Sequence, residues 1–367
     1  MYLRLLITVL AAMATLSSSA HAAVPGPLSP ADAAVFWSSP DDKPPEERQT
    51  FKKENQGQHF LYCDELYLDL LEPYLRGIGG GYGGVGTDQG YLMMGWMRAE
   101  LAWLTDYDPL VVAMHRIYAA FFTEAETPQQ FATLWQQAKL GRAALEKQLA
   151  GDAKLPSLLK LYNQQRPYTQ RRIGYLKWRL GKAKIKGFVN DGEDYAWVRG
   201  LVIAKRVRPM LGNLLSDKGL VGVGEASRKL NVPMRAFYVS NAEQYWAYSK
   251  QFRANMAALN WDAKSWLVRT LASKPVNRDY RYYLHAPARF LEQLAKPSVR
   301  LVTQVVPYVA IDDPSLVPLV VLPAEGGRVV KWADDKDKEV RKKKAEALRQ
   351  GKDGPTPAGP GGSEGTP

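Results

Sequence analysis

The residues best suited to chemistry lie in one stretch, where a glycine-rich turn precedes an acid. The turn reads Gly84-Val85-Gly86-Thr87-Asp88-Gln89, and Asp106 follows twenty residues after Gly86. Glycines allow a tight turn and close approach to a ligand, and a helix N-terminus offers free N–H groups. An acid at the tip of the next strand can accept hydrogen bonds from ribose hydroxyls. The stretch therefore predicts a nucleotide-type pocket lined by Gly84, Gly86, Thr87, Asp88, Gln89 and Asp106.

A structural alternative exists for the same residues. The pattern lacks the third glycine of the dinucleotide fingerprint, so the turn could simply join two elements. In that case Asp106 would cap the helix that begins near Pro109, since acids are favoured at helix N-caps and proline in the first helical turn.

Apolar periodicity indicates the elements that must position these residues. Strands alternate with helices, which predicts an α/β fold with a doubly wound, mostly parallel sheet. Helices are predicted at 30–37, 60–75, 109–122, 127–149, 217–230, 244–259 and 288–294. Beyond the first two strands of the glycine–acid stretch, strands are predicted at 207–211, 235–239, 265–269, 299–306 and 316–322. The long helical stretch at about 127–206 is an insertion between strands.

The two ends of the chain have distinct compositions. Residues 1–22 combine Arg4, an apolar core and an Ala-His-Ala cleavage site, which predicts a signal peptide cut after Ala22 and a periplasmic or secreted protein. Residues 23–59 form an extended leader, and 60–330 the Rossmann-like domain. The charged, Pro/Gly-rich residues 331–367 predict a disordered tail. No later stretch is long and apolar enough for a membrane span.

Hydrolase and metalloenzyme chemistry is disfavoured, although carboxylate-only chemistry stays open, with Asp106, Asp108 and Glu243 as its candidates. There is no Gly-x-Ser-x-Gly elbow and no His-Glu-x-x-His motif. After signal cleavage only His59, His115 and His285 remain, with Cys63 as the one cysteine, so no metal site is predicted. His115 lies on an apolar helix face, where a lone histidine is usually structural.

A basic surface is a second candidate for function. The formal net charge is +12, and 166–186 concentrates cations among aromatic residues. Such a stretch could bind an anionic surface or polymer through Arg171, Arg172, Lys177 and Arg179. The alternative is a solvated helix face with Ile173, Leu176 and Leu180 packed inward.

Three stretches resemble a little-characterised bacterial family with a class I S-adenosylmethionine-dependent methyltransferase-like core. They are the glycine–acid stretch from 84 to 109, Leu211-Gly212-Asn213-Leu214, and Phe237-Tyr238-Val239-Ser240-Asn241-Ala242-Glu243-Gln244-Tyr245. Two residues depart from that pattern: Gly83 stands where such a strand holds a bulky apolar residue, and Asn213 where an acid is expected.

The resemblance implies S-adenosylmethionine as cofactor. Gly84 and Gly86 would form the cofactor turn, Asp106 would hold the ribose, and Asn213 would lie near the adenine. Ser240, Asn241 and Glu243 would face the substrate, with Asn241 or Glu243 orienting a nucleophile and Glu243 accepting its proton.

The sequence favours two functions. One is an exported methyltransferase-like enzyme of unknown substrate. The other is a non-catalytic exported binding protein on the same fold, using the basic helical surface. Export favours the second, because S-adenosylmethionine is made in the cytoplasm, but fold alone does not decide between them.

Overall fold

Residues 24–44, 58–277 and 279–333 are described by the computed structural model. The predicted signal peptide and most of the predicted tail lie outside these ranges. The strands are β1 (Gly81–Gly84), β2 (Leu101–Asp106), β3 (Val207–Leu211), β4 (Met234–Ser240), β5 (Trp266–Ala272), β6 (Tyr280–His285), β7 (Pro318–Leu322) and β8 (Val329–Trp332).

These strands form one eight-stranded sheet in the order β3-β2-β1-β4-β5-β6-β7-β8. The strands from β3 to β5 pair in parallel, β6 is antiparallel to β5, and β7 is parallel to β6. The predicted mostly parallel α/β sheet is confirmed, and the β3-β2-β1-β4-β5 half is compatible with a Rossmann-like fold. In that half the chain leaves β1 toward β2 and later returns to β4 on the other side, which creates a switch point between β1 and β4.

Helices flank the sheet. They are α1 (Pro30–Trp37), α2 (Glu72–Leu75), α3 (Asp88–Met97), α4 (Pro109–Glu124), α5 (Pro128–Gln136), α6 (Ala138–Gln148), α7 (Leu155–Ala183), α8 (Gly192–Ile203), α9 (Gly219–Lys229), α10 (Lys250–Ala258), α11 (Lys274–Asn277) and α12 (Pro287–Leu294). The predicted insertion at 127–206 thus consists of α5 to α8.

Alternate residues of each strand enter two different cores, as the twofold period of a strand requires. On β2, Ala102 and Leu104 pack with α3 and α4, whereas Leu101 and Trp103 pack with Phe36 of α1 and with α9. Helices therefore cover both faces of the sheet, and the site edge is left to the loops that follow the strands.

Three of the four residues of β1 are glycines, and side chains of the neighbouring strand β4 fill the space beside them. Gly83 pairs with Phe237 on β4, and a Cβ added to Gly83 would lie 2.5 Å from the Phe237 ring. The departure seen in the sequence at Gly83 is thus matched by a large partner, and it does not disrupt the strand.

Two predicted elements are wrong. Residues 60–75 are not one helix: the chain is irregular up to a short 3-10 turn (Leu68–Leu71) followed by α2. Tertiary contacts of Asp64 and Glu65 with distant strands override the helical pattern there. Residues 299–306 form no strand, because the N–H groups of Arg300 and Leu301 donate to the Gln304 side chain.

Candidate functional site

A cavity of about 420 Å³ opens at the carboxyl edge of the parallel strands, at the switch point. Its walls come from the loops after β1, β2, β3 and β4, from the end of β5, and from the irregular segment that includes Phe60 and Glu65. Ligands of α/β sheets bind at such crevices, and the volume is in the range of small-molecule sites. Of the predicted site residues, the cavity is lined by Gly86, Thr87, Gln89, Asp106, Asn213, Ser240 and Asn241.

Gly86 and Asp106 meet where the neighbouring strands β1 and β2 end, as the glycine–acid spacing predicts. The Gly86 N–H donates to Asp106 Oδ2 at 2.9 Å, and the Asp108 N–H donates to Asp106 Oδ1 at 2.9 Å. A carboxylate offers about four acceptor positions, so Asp106 retains capacity for a ligand hydroxyl. The helix cap is Asp108, whose side chain accepts from the Leu110 N–H, so the alternative role of Asp106 as N-cap is wrong.

The glycine loop is closed on itself. Thr87 donates its N–H to Gln89 Oε1 at 3.1 Å, and Gln89 Nε2 donates to the Val85 carbonyl at 2.9 Å. Gly86 has a φ of 81°, and a Cβ there would lie 1.9 Å from Gln89 Nε2. The predicted free N–H groups at Gly86 and Thr87 are therefore already used, and the loop is not a phosphate cradle.

His115 supports this loop from behind. Its Nε2 donates to the Gly86 carbonyl at 2.9 Å, because a carbonyl oxygen can only accept, and Nδ1 then accepts from Tyr91 Oη at 3.0 Å. Burial lowers the pKa of His115 to about 4, so the ring stays neutral. His115 positions Gly86 and does not line the cavity.

The carboxyl group of Asp106 has a raised pKa although it lines an open cavity. Burial raises its pKa to about 6, partly offset by the backbone N–H groups that donate to it. A ligand hydroxyl donating to Asp106 would favour the ionised form in the same way. The site thus combines a desolvated acceptor with an open cavity.

The polar residues Asn213, Ser240 and Asn241, where β3 and β4 end, all lie on the cavity wall. Asn213 lines the cavity, with its N–H bonded to Asp42 at 2.9 Å and its Oδ1 accepting from the Leu215 N–H at 3.0 Å. Asn241 lines it after β4. Ser240, at the end of β4, has a φ of 52°, a left-handed conformation that is uncommon for serine.

Three predicted site residues do not line the cavity. A Cβ on Gly84 would meet Tyr238, so Gly84 serves sheet packing. Asp88 is fully buried, in an ion pair with Arg172 at 2.7 Å. Glu243 is buried in an ion pair with Arg269 at 2.6 Å and accepts from Tyr248 Oη at 2.7 Å. Glu243 is therefore not placed to take a proton from a substrate in this cavity.

Two of the four cations predicted for the basic surface are buried. Arg172 and Arg179 lie on the buried face of α7, and Arg179 binds both carboxylate oxygens of Asp69 at 2.7 and 2.6 Å. Arg171 and Lys177 are exposed. The alternative interpretation, with Ile173, Leu176 and Leu180 packed inward, is confirmed.

Several wall residues were not singled out as site residues from the sequence. Glu65 lies on the wall amid hydroxyl groups, and Asp64 forms an ion pair with Lys274 and accepts from Tyr280 Oη at 2.8 Å. In the sequence these acids fitted the polar side of a predicted helix. The one signal for Glu65 was its position inside an apolar run, from Leu61 to Leu71.

Comparison with known families gives one result. The profile of a family described as a domain of unknown function, DUF7790, matches residues 60–320, well over half of the sequence. The chain belongs to this family. The matched range begins at the segment that carries the Glu65 wall and ends within β7, so it includes all cavity-lining residues of the described chain. No curated protein matches the sequence.

Two further properties hold for the described part of the chain. No helix there is both long and apolar enough to span a membrane. No group of three or more His, Cys, Asp or Glu side chains is arranged to hold a metal ion within residues 24–44, 58–277 and 279–333.

Proposed function

We propose that this protein binds a nucleoside-type small molecule at the β1/β4 switch point, with S-adenosylmethionine as the leading candidate. The observation that carries the proposal is the pairing of Gly86 with Asp106 on the cavity wall, at 2.9 Å. Asp106 ends the strand next to β1, where an acid can accept from a ribose.

The remaining lining suits an aromatic base and a polar sugar. Ring systems surround the cavity at Phe60, Tyr62, Tyr107, Tyr245, Trp246 and Tyr280. Aromatic faces stack on a purine, and Asn213 and Asn241 add polar groups at the β3 and β4 loops. The resemblance to methyltransferase-like proteins agrees with this division of the wall.

The geometry supports binding more strongly than a defined methyl transfer. Transfer from a sulfonium depends mainly on in-line placement of donor and acceptor. The predicted proton acceptor, Glu243, is occupied by Arg269 and Tyr248 outside the cavity wall. The basic α7 surface is not retained as a second function, since two of its cations neutralise buried acids.

Calorimetric titration tests the proposal. The chain from Ala23 onward is titrated with S-adenosylmethionine, S-adenosylhomocysteine and adenosine, which cover a charged donor, its thioether product and a plain nucleoside. We expect saturable binding of at least one of them. Asp106→Asn should weaken it at least ten-fold, about 1.4 kcal/mol, because the ribose loses a charged acceptor.

A matched control distinguishes the site from general effects of charge. Asp312 is exposed and lies outside the cavity lining, so Asp312→Asn should leave affinity unchanged. Equal binding by the Asp106 and Asp312 variants would contradict the role of Asp106. Absence of heat with all three ligands at millimolar concentration would contradict the proposed function.

A further inference from the structure

Glu65 is a buried carboxylate on the cavity wall. It is 2% exposed, yet it forms part of the lining. Its Oε1 accepts from Tyr238 Oη, from Ser240 Oγ at 3.0 Å and from Thr270 Oγ1 at 2.9 Å, and its Oε2 accepts from the Cys63 thiol. Three hydroxyl groups that converge on one oxygen are the arrangement expected for an ionised acceptor.

Arg172 contacts the backbone of Glu65, but its ion pair is with another acid, Asp88. Arg172 Nε donates to Asp88 at 2.7 Å, and its Nη1 donates to the backbone carbonyl of Glu65 at 2.8 Å. Arg172 thus balances the buried charge of Asp88. In the described ranges, no Lys, Arg or His forms an ion pair with the Glu65 carboxylate.

The whole cavity has the same sign of charge as Glu65. Among its described lining residues, the carboxylates are Asp64, Glu65, Asp106 and Asp108, against the single ammonium of Lys274, which pairs with Asp64. A protein with a formal net charge of +12 therefore presents an acidic cavity. The backbone N–H groups of Gly86 and Thr87, which could have held an anion, are bonded to Asp106 and Gln89.

An unbalanced buried carboxylate is costly unless a cation or a proton accompanies it. Burial and the neighbouring Asp64 raise the pKa of Glu65, in agreement with that cost. A positive ligand centre would remove that cost, whereas a phosphate would add repulsion from wall carboxylates such as Glu65 and Asp106.

From this arrangement we propose that Glu65 is the counter-charge for a cationic centre of the ligand. The cavity then takes an organic cation, such as a sulfonium, and rejects phosphorylated nucleosides. This inference rests on the proposed function, because it assumes that the nucleoside lies in the same cavity. It restricts the ligands of that cavity to nucleosides that carry a positive charge.

Two ligands that differ by one methyl group and one positive charge at the sulfur provide the test. S-adenosylmethionine carries a sulfonium where S-adenosylhomocysteine carries a neutral thioether. In wild-type protein we expect the sulfonium to bind at least ten-fold more tightly than the thioether, and ADP not to compete with it at millimolar concentration. In Glu65→Gln, we expect the two affinities to lie within about three-fold.

The control variant is Glu292→Gln, an exposed glutamate outside the cavity, which should keep the wild-type ratio. The wild-type ratio and the ADP competition need no variant, so they decide the matter even if Glu65→Gln fails to fold. Equal affinity for the two sulfur ligands, or tight ADP binding, would overturn the role of Glu65 while leaving nucleoside binding intact. No binding by any nucleoside would refute both proposals.

Discussion

At the scale of single residues, Asp106 combines a structural and a ligand-binding role. It holds the glycine loop through the Gly86 N–H, and it lines the cavity. The glycine loop offers few hydrogen-bond donors to a ligand, because the N–H groups of Gly86 and Thr87 are already bonded to protein side chains. A ligand bonded to Asp106 would therefore be affected by the protonation of that carboxyl group.

The raised pKa of Asp106 predicts a pH-dependent stability. Its pKa rises from the ordinary 3.8 to about 6 on folding, so the folded state binds the proton more tightly. Its contribution is therefore complete below about pH 4 and is lost as the pH rises through about 6, a change of up to about 3 kcal/mol. Urea unfolding between pH 4 and 7.5 measures it.

Asp279 contributes a slope of the same sign, because burial raises its pKa to about 7. Comparison with Asp106→Asn separates the two, since this variant should lose the Asp106 part and keep the rest. Parallel pH profiles for wild type and Asp106→Asn would contradict the raised pKa of Asp106.

Only part of this residue-level site could be predicted from the sequence. Gly86 and Asp106 were found because their spacing is set by one helix and one strand. Glu65 was not, because its partners lie more than 170 residues away, at Tyr238, Ser240 and Thr270. The same limit explains Glu243, whose ion pair with Arg269 has no local signature.

At the scale of elements, α7 determines where the Glu65 wall lies. Its inner face binds the wall segment at three points: Arg172 with the Glu65 carbonyl, Tyr175 Oη with the Leu66 carbonyl at 2.7 Å, and Arg179 with Asp69. Helical spacing brings these side chains to one face. Two of the cations that suggested a binding surface, Arg172 and Arg179, thus hold the wall segment against α7.

This arrangement predicts unequal effects of two substitutions on the same helix. Arg179→Met leaves Asp69 buried without its partner, and we expect a loss of about 3–5 kcal/mol in the free energy of unfolding. Lys177→Met, on the exposed side, should change it by less than about 0.5 kcal/mol. Chemical denaturation measures both. Similar losses for the two variants would show that the Arg179–Asp69 pair does not hold the wall.

Element prediction succeeded where the pattern was strong and local. The helix at 30–37 and the strand at 207–211 agree with α1 and β3. β6 was missed because its sequence, Tyr280–His285, mixes aromatic and charged residues and is buried on both faces. β8 was missed because it is short and largely exposed at the sheet edge.

At the scale of the whole molecule, the sheet and its switch point could be predicted from the alternation of strands and helices. The negative charge of the cavity lining could not be predicted in this way. Net charge predicted anionic partners, but the acids are concentrated at one edge by the fold. The leader residue Asp42 illustrates the same point: it binds the Asn213 and Gly219 N–H groups across 171 or more positions of sequence. Composition cannot reveal such an arrangement.

The contact between Gly83 of β1 and Phe237 limits which amino acids relatives of this family can carry at the two positions. Any side chain at position 83 needs the volume that the Phe237 ring now occupies. The two positions should therefore change together across relatives, with a larger residue in one accompanied by a smaller residue in the other. A substitution at one of these positions is therefore expected to require a compensating substitution at the other, on the neighbouring strand.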